Sequence, residues 1–493
     1  MELMKNKKSL KLTLVVPNYR WNEGDQHTFW IYAPYGLCCL AAMVEDICDV
    51  EIIDAYGSDM TPETLGVALK KSNPDIVGIT VLMDQFAATG HRVAEIVKSL
   101  NPAITVILGG VYATINPEAA ISDPHVDYLV LGDGEYVLKE MIGYFKGENP
   151  LPMKGICYRS EGEIIDTGRA EPILDLDALP RPAYHLIPFE KYANEAPRKG
   201  IIGSPKQFPY VRMLTSRGCP YGCAFCQIEH IVGKRFRAKS AERVLDEIAW
   251  LKEEYGIKSL IFEDDNFFLD KKRVTKILEG MIERGLAMPW IAADAAVFRI
   301  DADLLRLMRA SGCEYIAFAL ETGTERVLKD IIGGKPIDFD HARKMVAIAR
   351  DLGIYVVANF IIGFPTETWD EIRQTLAFAE DVQADYVRIF AAIPLRKTRL
   401  WDLCLKEKAF KKQYDHFGEH SSWSTGQIET KDFSPNDLTI LRAYEWDRIN
   451  FSSPEKRKRT ADMINISEEE LLAVRRETLE NAIRQISGKN DAH

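Results

Sequence analysis

The sequence lacks long hydrophobic runs, an excess of positive charge and a second Cys-x2-Cys pair. It contains no run of about 18 apolar residues, so we expect no transmembrane segment. Its 62 Lys and Arg residues are outnumbered by 73 Asp and Glu residues, which argues against a large nucleic-acid surface. Nine cysteines, an odd number in a long chain, favour a reducing compartment over a disulfide framework. We therefore expect a cytoplasmic globular protein without a nucleic-acid partner.

The length of 493 residues exceeds what one hydrophobic core usually supports, so the sequence predicts several domains. Changes in pattern divide the chain into four parts, namely 8–147, a connector at 148–207, 208–402 and 403–493. In the first part, short β-rich runs such as "DVEIIDA" and "DIVGITVL" alternate with helical patterns. This alternation predicts a doubly wound, Rossmann-like α/β domain with a parallel sheet.

The third part repeats the alternation six times, in units that begin with runs such as "SLIFEDD" and "YIAFALET". Six βα units predict a partial (β/α)6 barrel of the TIM type, with a second open sheet as the alternative. The fourth part is expected to be small, mostly α-helical and a cap on the substrate side. Its candidate substrate contacts are Tyr414, His416, His420 and Trp423.

Three cysteines are crowded into the stretch "TSRGCPYGCAFCQIEH", directly after a predicted strand. Their spacing is Cys-x3-Cys-x2-Cys, formed by Cys219, Cys223 and Cys226. Burial as small hydrophobes and a zinc site completed by His230 are two alternatives. An iron–sulfur cluster held by three thiolates accounts best for the count, because it leaves one iron open for another ligand.

This motif, with Phe225 before the last cysteine and at the top of a predicted barrel, resembles the radical S-adenosylmethionine (SAM) enzymes. The resemblance implies a 4Fe–4S cluster on the three cysteines, SAM on its open iron and a 5′-deoxyadenosyl radical. It also implies an electron donor such as flavodoxin or ferredoxin. Segments that match the family in order imply these SAM contacts: Asp264, Asp265, Asn266, Glu321, Thr322, Gly363 and Pro365.

The first part resembles the cobalamin-binding domain that precedes many radical SAM barrels. The resemblance rests on "YAPYGLCCLAA", "PDIVGITVL", "VILGGVYATINPEAA" and "VDYLVLGDGE". It implies these cobalamin contacts: Thr80, Gly109, Gly110, Thr114, Gly132, Gly134 and Glu135. Two departures stand out, because Tyr112 replaces the family's usual histidine and the segment around His125 lacks the glycine of the cobalt-ligating motif. The resemblance therefore implies cobalamin without a histidine ligand on cobalt.

Tandem cofactor domains of this kind imply a cobalamin-dependent radical SAM methyltransferase that acts on an unactivated carbon or phosphorus centre of a small molecule. A non-methylating cyclisation, rearrangement or oxidation is the alternative. A tRNA methylthiotransferase would need a second cluster, yet adjacent Cys38 and Cys39 point about 100° apart on a helix. A non-catalytic cobalamin- or redox-responsive module is the remaining alternative. We expect Cys38, Cys39, Cys48 and Cys313 to serve packing.

Overall fold

Two β-sheets organise the chain in the computed structural model, which describes residues 10–21, 32–194, 205–336, 338–410 and 424–487. One compact unit contains the described residues up to 194 together with 230–233, and the other contains the rest. Among the described residues, no helix has both the length and the apolar character that crossing a bilayer requires.

The strands are β1 (Lys11–Val16), β2 (Asp49–Asp54), β3 (Ile76–Thr80), β4 (Thr105–Gly109), β5 (Tyr128–Val130), β6 (Ile156–Ser160), β7 (Glu163–Asp166), β8 (Tyr210–Met213), β9 (Ser216–Arg217), β10 (Arg237–Ala238), β11 (Ser259–Phe262), β12 (Trp290–Ala295), β13 (Cys313–Glu321), β14 (Tyr355–Ile362) and β15 (Tyr386–Ala391). The α-helices are α1 (Tyr35–Ala42), α2 (Pro62–Ser72), α3 (Ala87–Leu100), α4 (Val111–Ile115), α5 (Pro117–Ser122), α6 (Glu135–Lys146), α7 (Phe189–Asn194), α8 (Ile228–Ile231), α9 (Ala241–Tyr255), α10 (Lys271–Glu283), α11 (Ala302–Ala310), α12 (Phe339–Asp351), α13 (Trp369–Asp381), α14 (Arg399–Glu407), α15 (Pro435–Phe451), α16 (Pro454–Ile464) and α17 (Glu468–Ser487).

The first sheet has the strand order β2-β1-β3-β4-β5-β6-β7, and its first five strands are parallel. This order is doubly wound, which confirms the predicted α/β class for the N-terminal part. Local signals set the helices between the strands. For example, Thr61 caps α2 by accepting a hydrogen bond from the Thr64 amide at 3.3 Å.

The predicted connector adds strands to the first sheet. Its segments β6 and β7 form an antiparallel hairpin, and β6 pairs with β5 at the edge of the parallel strands. The hairpin thus continues the sheet and covers the edge of β5, a protection that parallel sheets need against wrong pairing.

The second sheet has the order β8-β11-β12-β13-β14-β15, and every neighbouring pair is parallel. Because each strand pairs with the next one in this series, right-handed crossovers place the connecting helices on one face. The opposite face and the carboxyl ends of the strands are then left for side chains and loops. In the described residues β8 and β15 form the two edges of the sheet.

Helix α15 protects the edge strand β15. The Asn450 side chain accepts from the Val387 amide at 2.7 Å and donates to the Val387 carbonyl at 2.9 Å. The Arg442 Nε donates to the Ile389 carbonyl at 2.9 Å. The described C-terminal part is thus mostly α-helical, as expected, and its α15 seals a sheet edge. The predicted contacts Tyr414, His416, His420 and Trp423 lie outside the described residues.

Candidate functional site

The cysteine loop follows β8 and the two-residue strand β9, at the carboxyl end of the second sheet. Gly218 and Gly222 have φ of +86° and +61°, a backbone conformation that favours glycine. The Ala224 amide donates to the Ile332 carbonyl at 2.8 Å, and the Leu400 amide donates to the Ala224 carbonyl at 2.8 Å. The glycines let the chain turn sharply, and these bonds fix the loop on the end of the sheet.

Two carboxylates that follow β11 hold the start of the loop. Asp264 Oδ1 accepts from the Thr215 amide at 2.9 Å and from the hydroxyls of Thr215 and Ser216 at 2.8 and 2.5 Å. Asp265 Oδ2 accepts from the Gly218 amide at 2.9 Å. Burial raises the pKa of Asp264, whereas these hydrogen bonds favour its charged form. Asp264 therefore supports the loop.

The three thiols of the loop lie close enough to affect one another. Burial raises the pKa of Cys223 to about 12, and the neighbouring Cys226 and Cys219 add to this rise. Burial also raises the pKa of Cys226. With pKa values raised in this way, these two thiols stay protonated at neutral pH. They become thiolates, the form that binds metals, only when a positive centre binds them.

The donor set fits an iron–sulfur cluster, because cysteine thiolates are the ligands of such clusters and each iron takes its own thiolate. Asn266 Nδ2 also donates to the sulfur of Cys219 at 3.7 Å, the kind of hydrogen bond that tunes a cluster.

A buried ion pair lies beside this loop. Lys335 Nζ donates to Glu321 Oε1 at 2.6 Å, and their side chains are only 13% and 6% exposed. Burial by itself would lower the pKa of Lys335, but Glu321 and the Cys223 thiol raise it above its usual range. Lys335 thus keeps its positive charge next to the cysteine loop.

Glu321 ends β13 with a φ of +68°, in the left-handed region that glycine normally occupies. A glutamate in this conformation carries backbone strain, and such strain is concentrated at functional sites.

The turn after β14 is held by a side chain of its own, that of Glu367. Glu367 is fully buried, and its Oε2 accepts from the amides of Gly363 and Phe364 at 2.6 and 3.0 Å. Gly363 has a φ of +88°, and a Cβ there would lie 2.4 Å from Leu438 Cδ1. The positive φ favours glycine at position 363, and the Leu438 side chain of α15 covers this face of the backbone. Pro365 follows in the same turn.

Thr322, which follows β13, contacts α13, and its expected contact with SAM stays a prediction. The residue is fully buried, and its hydroxyl lies 3.0 Å from the hydroxyl of Thr375 on α13. It also accepts from the Thr324 amide at 3.3 Å. Its role is therefore to join the end of β13 to a helix. Asp265, Asn266 and Glu321 stay at the carboxyl end, near the cysteine loop.

In the N-terminal unit, the predicted cobalamin contacts gather at the carboxyl ends of β3, β4 and β5. Thr80 and Gly109 are direct partners in the register of β3 and β4. Gly109 is partly exposed, and a Cβ there would lie in ordinary van der Waals contact with Val130 at 3.9 Å. Leu82, just after β3, is 51% exposed. A partly exposed glycine backbone and an exposed apolar side chain at the same edge fit a large flat ligand such as a corrin.

Thr114 and Gly110 shape this edge. Thr114 Oγ1 donates to the Gly110 carbonyl and accepts from the Gly132 amide, both at 3.0 Å. Gly110 has a φ of +94°, and a Cβ there would lie 2.5 Å from the Val81 carbonyl. Gly110 is thus demanded by the turn itself. Gly134 is the N-cap of α6, and Glu135 is the buried first residue of that helix.

Tyr112, which stands where the family usually has histidine, belongs to a hydrogen-bonded chain. Its hydroxyl lies 3.0 Å from His91 Nε2, and His91 Nδ1 lies 2.7 Å from Asp123 Oδ2. The other oxygen of Asp123 is 2.8 Å from His125 Nδ1. His125 lies in the turn leading into the amino end of β5, whereas the predicted cofactor edge is at the carboxyl ends.

Sequence reasoning missed four groups at the second sheet, which are Lys335, Asp294, Asn359 and Arg388. Asp294, Asn359 and Arg388 are polar residues within otherwise apolar strands ("WIAADA", "YVVANFII" and "YVRIFA"), and that contrast was an available signal. Lys335 stands in a Gly-Gly-Lys-Pro stretch beyond β13, where nothing local predicts its partner.

Comparison with known proteins assigns both units. Residues 30–142 match the family model of the B12 binding domain, and residues 213–379 match that of the Radical SAM superfamily. An uncharacterized methyltransferase of Pyrococcus horikoshii is 34% identical over 374 residues, covering 76% of this chain and 78% of the relative. The cytidylyl-2-hydroxyethylphosphonate methyltransferase of Streptomyces wedmorensis is 29% identical, with the same coverages.

The fold agrees with a solved structure as well. The radical SAM methyltransferase TsrM of Kitasatospora setae, solved with cobalamin and a [4Fe-4S] cluster, superposes with a TM-score of 0.69 at 17% identity, covering 92% of this chain and 90% of TsrM. The chain therefore belongs to the radical SAM enzymes that carry a B12-binding domain, a family whose cofactors are a 4Fe–4S cluster, SAM and cobalamin.

Proposed function

We propose that this enzyme is a cobalamin-dependent methyltransferase that methylates an unactivated carbon or phosphorus centre of a small molecule. The observation that carries the proposal is the three-cysteine loop, with Cys223 buried and the Lys335–Glu321 ion pair beside it. The same chain carries a parallel sheet whose carboxyl edge presents the partly exposed Gly109. The similarity to two methyltransferases supports methyl transfer over the other reactions of this family.

The residues of the loop have separable roles in this proposal. Cys219, Cys223 and Cys226 hold the cluster. The Asn266 amide group, which donates to the Cys219 sulfur, orients that ligand. Lys335, held by Glu321 near Cys223, binds the carboxylate of SAM, since a desolvated ammonium is a strong partner for a carboxylate. When bound, the cluster and SAM supply a carbon radical, and cobalamin supplies the methyl group.

In the N-terminal unit we assign Thr80, Gly109 and Gly132 to the face that cobalamin covers. Thr114 and Gly110 then shape this edge from behind, since their groups already bond within the protein. We further infer that a cytoplasmic flavodoxin or ferredoxin delivers the electron.

The test is anaerobic purification with cobalamin, reconstitution of the cluster and incubation with reduced flavodoxin and SAM that carries a deuterated methyl group. Cytidylyl-2-hydroxyethylphosphonate is the first substrate to try, because a relative is named for it. The proposal requires S-adenosylhomocysteine, 5′-deoxyadenosine and a product with the labelled methyl group. A wider panel of phosphonates and hydroxylated metabolites follows if this compound is inert.

The matched pair of variants is Cys223→Ala and Cys39→Ala. The first should lose iron and all SAM cleavage, whereas the second, in α1 of the other unit, should keep both. Formation of 5′-deoxyadenosine without any S-adenosylhomocysteine across the panel would remove methyl transfer and leave the radical enzyme.

A further inference from the structure

Three polar side chains share the inner face of the second sheet, which is the face opposite the connecting helices. They are Asp294 on β12, Asn359 on β14 and Arg388 on β15. Asn359 and Arg388 stand directly opposite each other in the register of β14 and β15. Asp294 lies in an irregularity between Ala292 and Ala295, where β12 shifts its register against β13. Such bulges re-aim side chains and are frequent beside active sites.

A hydrogen bond between Asp294 and Asn359 crosses the strand between them. Asn359 Nδ2 donates to Asp294 Oδ1 at 3.0 Å, although β13 separates their strands. Strands two apart lie roughly 9.5 Å apart in a flat sheet, and side chains stand perpendicular to it. The face is therefore concave here. Ala319, the β13 residue in register with Asn359, is small enough to leave space above it.

Asn359 carries an unused acceptor. The residue is only 7% exposed, and its Oδ1 has no hydrogen-bond partner in the described part of the chain. Buried polar atoms are nearly always paired, so an orphan acceptor on a concave face points to a ligand. Its Nδ2 is already given to Asp294, which fixes the direction in which Oδ1 faces.

The neighbouring charges restrict what the ligand can be. Arg388 donates to the Tyr315 hydroxyl at 3.2 Å. Its positive charge also favours the charged form of Asp294, a residue that is exposed to solvent. An ammonium ligand would meet the guanidinium, and a carboxylate or phosphate would meet the carboxylate of Asp294 and the carbonyl of Asn359. A hydroxyl fits this arrangement, because it can donate its one proton to Asn359 Oδ1 and accept from Arg388, while Asp294 already accepts from Asn359 Nδ2.

We propose that Asp294, Asn359 and Arg388 form a subsite that binds a hydroxyl group of the substrate. The substrate class is then a hydroxylated small molecule. This inference rests on the proposed function, because it takes the inner face of the second sheet to be the substrate side. Asn359 Oδ1 accepts from the hydroxyl, Arg388 donates to its oxygen, and Asp294 holds the Asn359 amide group in place.

The experiment compares a diol with its methyl ether as small probes. Saturation-transfer NMR on reconstituted full-length protein measures binding of propane-1,2-diol and of 1,2-dimethoxypropane. We expect the diol to bind at least about tenfold more tightly, since a site built for a hydroxyl rejects an analogue that cannot donate. Asn359→Leu should weaken diol binding about tenfold. Equal binding of both probes, or no binding of the diol, overturns the subsite.

Stability separates a binding role from a structural one. Asn359→Leu removes an unsatisfied acceptor and one hydrogen bond to Asp294, whose exposed carboxylate can be hydrated instead, so its thermal midpoint should stay near that of the wild type. Asn450→Leu is the matched control. That asparagine makes three hydrogen bonds, at 2.7, 2.9 and 2.9 Å, so the same substitution should lower the midpoint by several degrees. Equal losses in both variants would make Asn359 structural and would overturn the subsite.

The same preparations report on the proposed function independently. If wild-type protein forms 5′-deoxyadenosine from SAM but does not distinguish the diol from the ether, only the subsite fails. If no 5′-deoxyadenosine forms, the radical chemistry of the proposed function fails, whatever the probes show.

Discussion

The ammonium group of Lys335 donates a hydrogen bond to the Glu321 carboxylate over 2.6 Å, and both side chains are more than four-fifths buried. Burying both charges costs desolvation free energy, and their mutual attraction offsets this cost only while the two partners stay together. It also fixes a positive charge next to Cys223. The pair thus joins the end of β13 to the cysteine loop in one electrostatic unit.

Removing one partner of this pair should lower the free energy of unfolding more than removing both partners together. Lys335→Met leaves the Glu321 carboxylate buried alone, so we expect a loss of about 3–5 kcal/mol in the free energy of unfolding. The double variant Lys335→Met, Glu321→Leu should recover most of that loss. Urea denaturation of the apoprotein measures both.

Arg306→Met is the control for the ion pair. It removes the partner of Asp303 from an exposed pair, with side chains 61% and 92% exposed, and should change stability by less than about 0.5 kcal/mol. A double variant as unstable as Lys335→Met would contradict the view that the unpaired charge is the cost.

Asp264 should prove necessary for cluster retention without touching the cluster. Asp264→Ala leaves the Thr215 amide and the hydroxyls of Thr215 and Ser216 buried without their acceptor, at a cost of about 3 kcal/mol. The loop that carries Cys219 then loses its anchor. We expect reduced iron and sulfide per chain after reconstitution, measured beside Asp303→Ala, an exposed aspartate on α11. Full iron content in Asp264→Ala would refute the anchoring role.

Alanine substitutions at Gly109 and Gly110 should affect cobalamin binding and protein stability separately. Gly110→Ala would place its Cβ 2.5 Å from the Val81 carbonyl at a φ of +94°, so it should destabilise the protein by more than about 1 kcal/mol. Gly109→Ala meets nothing closer than 3.9 Å and should fold normally. If cobalamin covers this edge, Gly109→Ala should retain less cobalamin per chain, measured by corrin absorbance. Wild-type cobalamin content in Gly109→Ala would show that the corrin does not cover Gly109.

Glu367 should make the apoprotein less stable as pH rises through neutrality. Burial raises its pKa from 4.5 to about 7, with Glu371 adding to the rise and Arg326 opposing it. The folded state therefore holds this proton more tightly than the unfolded state. Its contribution is fully present below pH 4.5 and falls by about 3 kcal/mol as pH rises through 7.

Glu367→Gln keeps an acceptor for the Gly363 and Phe364 amides but does not titrate. The unfolding free energies of the two proteins, measured by urea between about pH 5 and 8, should therefore diverge. Wild type should lose stability with rising pH relative to the variant. Parallel curves would show that Glu367 stays ionised throughout.

Most strands and several helices could be read from the sequence because their signals are local. The run "DVEIIDA" became β2. For the C-terminal part only a mostly α-helical character was expected, without the bounds of α15 and α16. Their apolar patterns are weak, and α16 begins within the basic run "SPEKRKRT". The capping residues Ser434 and Ser453 were the available signals.

The sequence by itself determined the cysteine loop and the order of the two cofactor-type domains, because spacing and strand periodicity act over a few residues. Only the tertiary structure decided that Thr322 turns to α13, that Asp264 braces the loop and that Lys335 reaches Glu321. It also brought Asp294 to Asn359, which lies 65 positions away. Such meetings depend on strand register and sheet curvature, and these are set by the packing of the whole unit rather than by any short stretch of sequence.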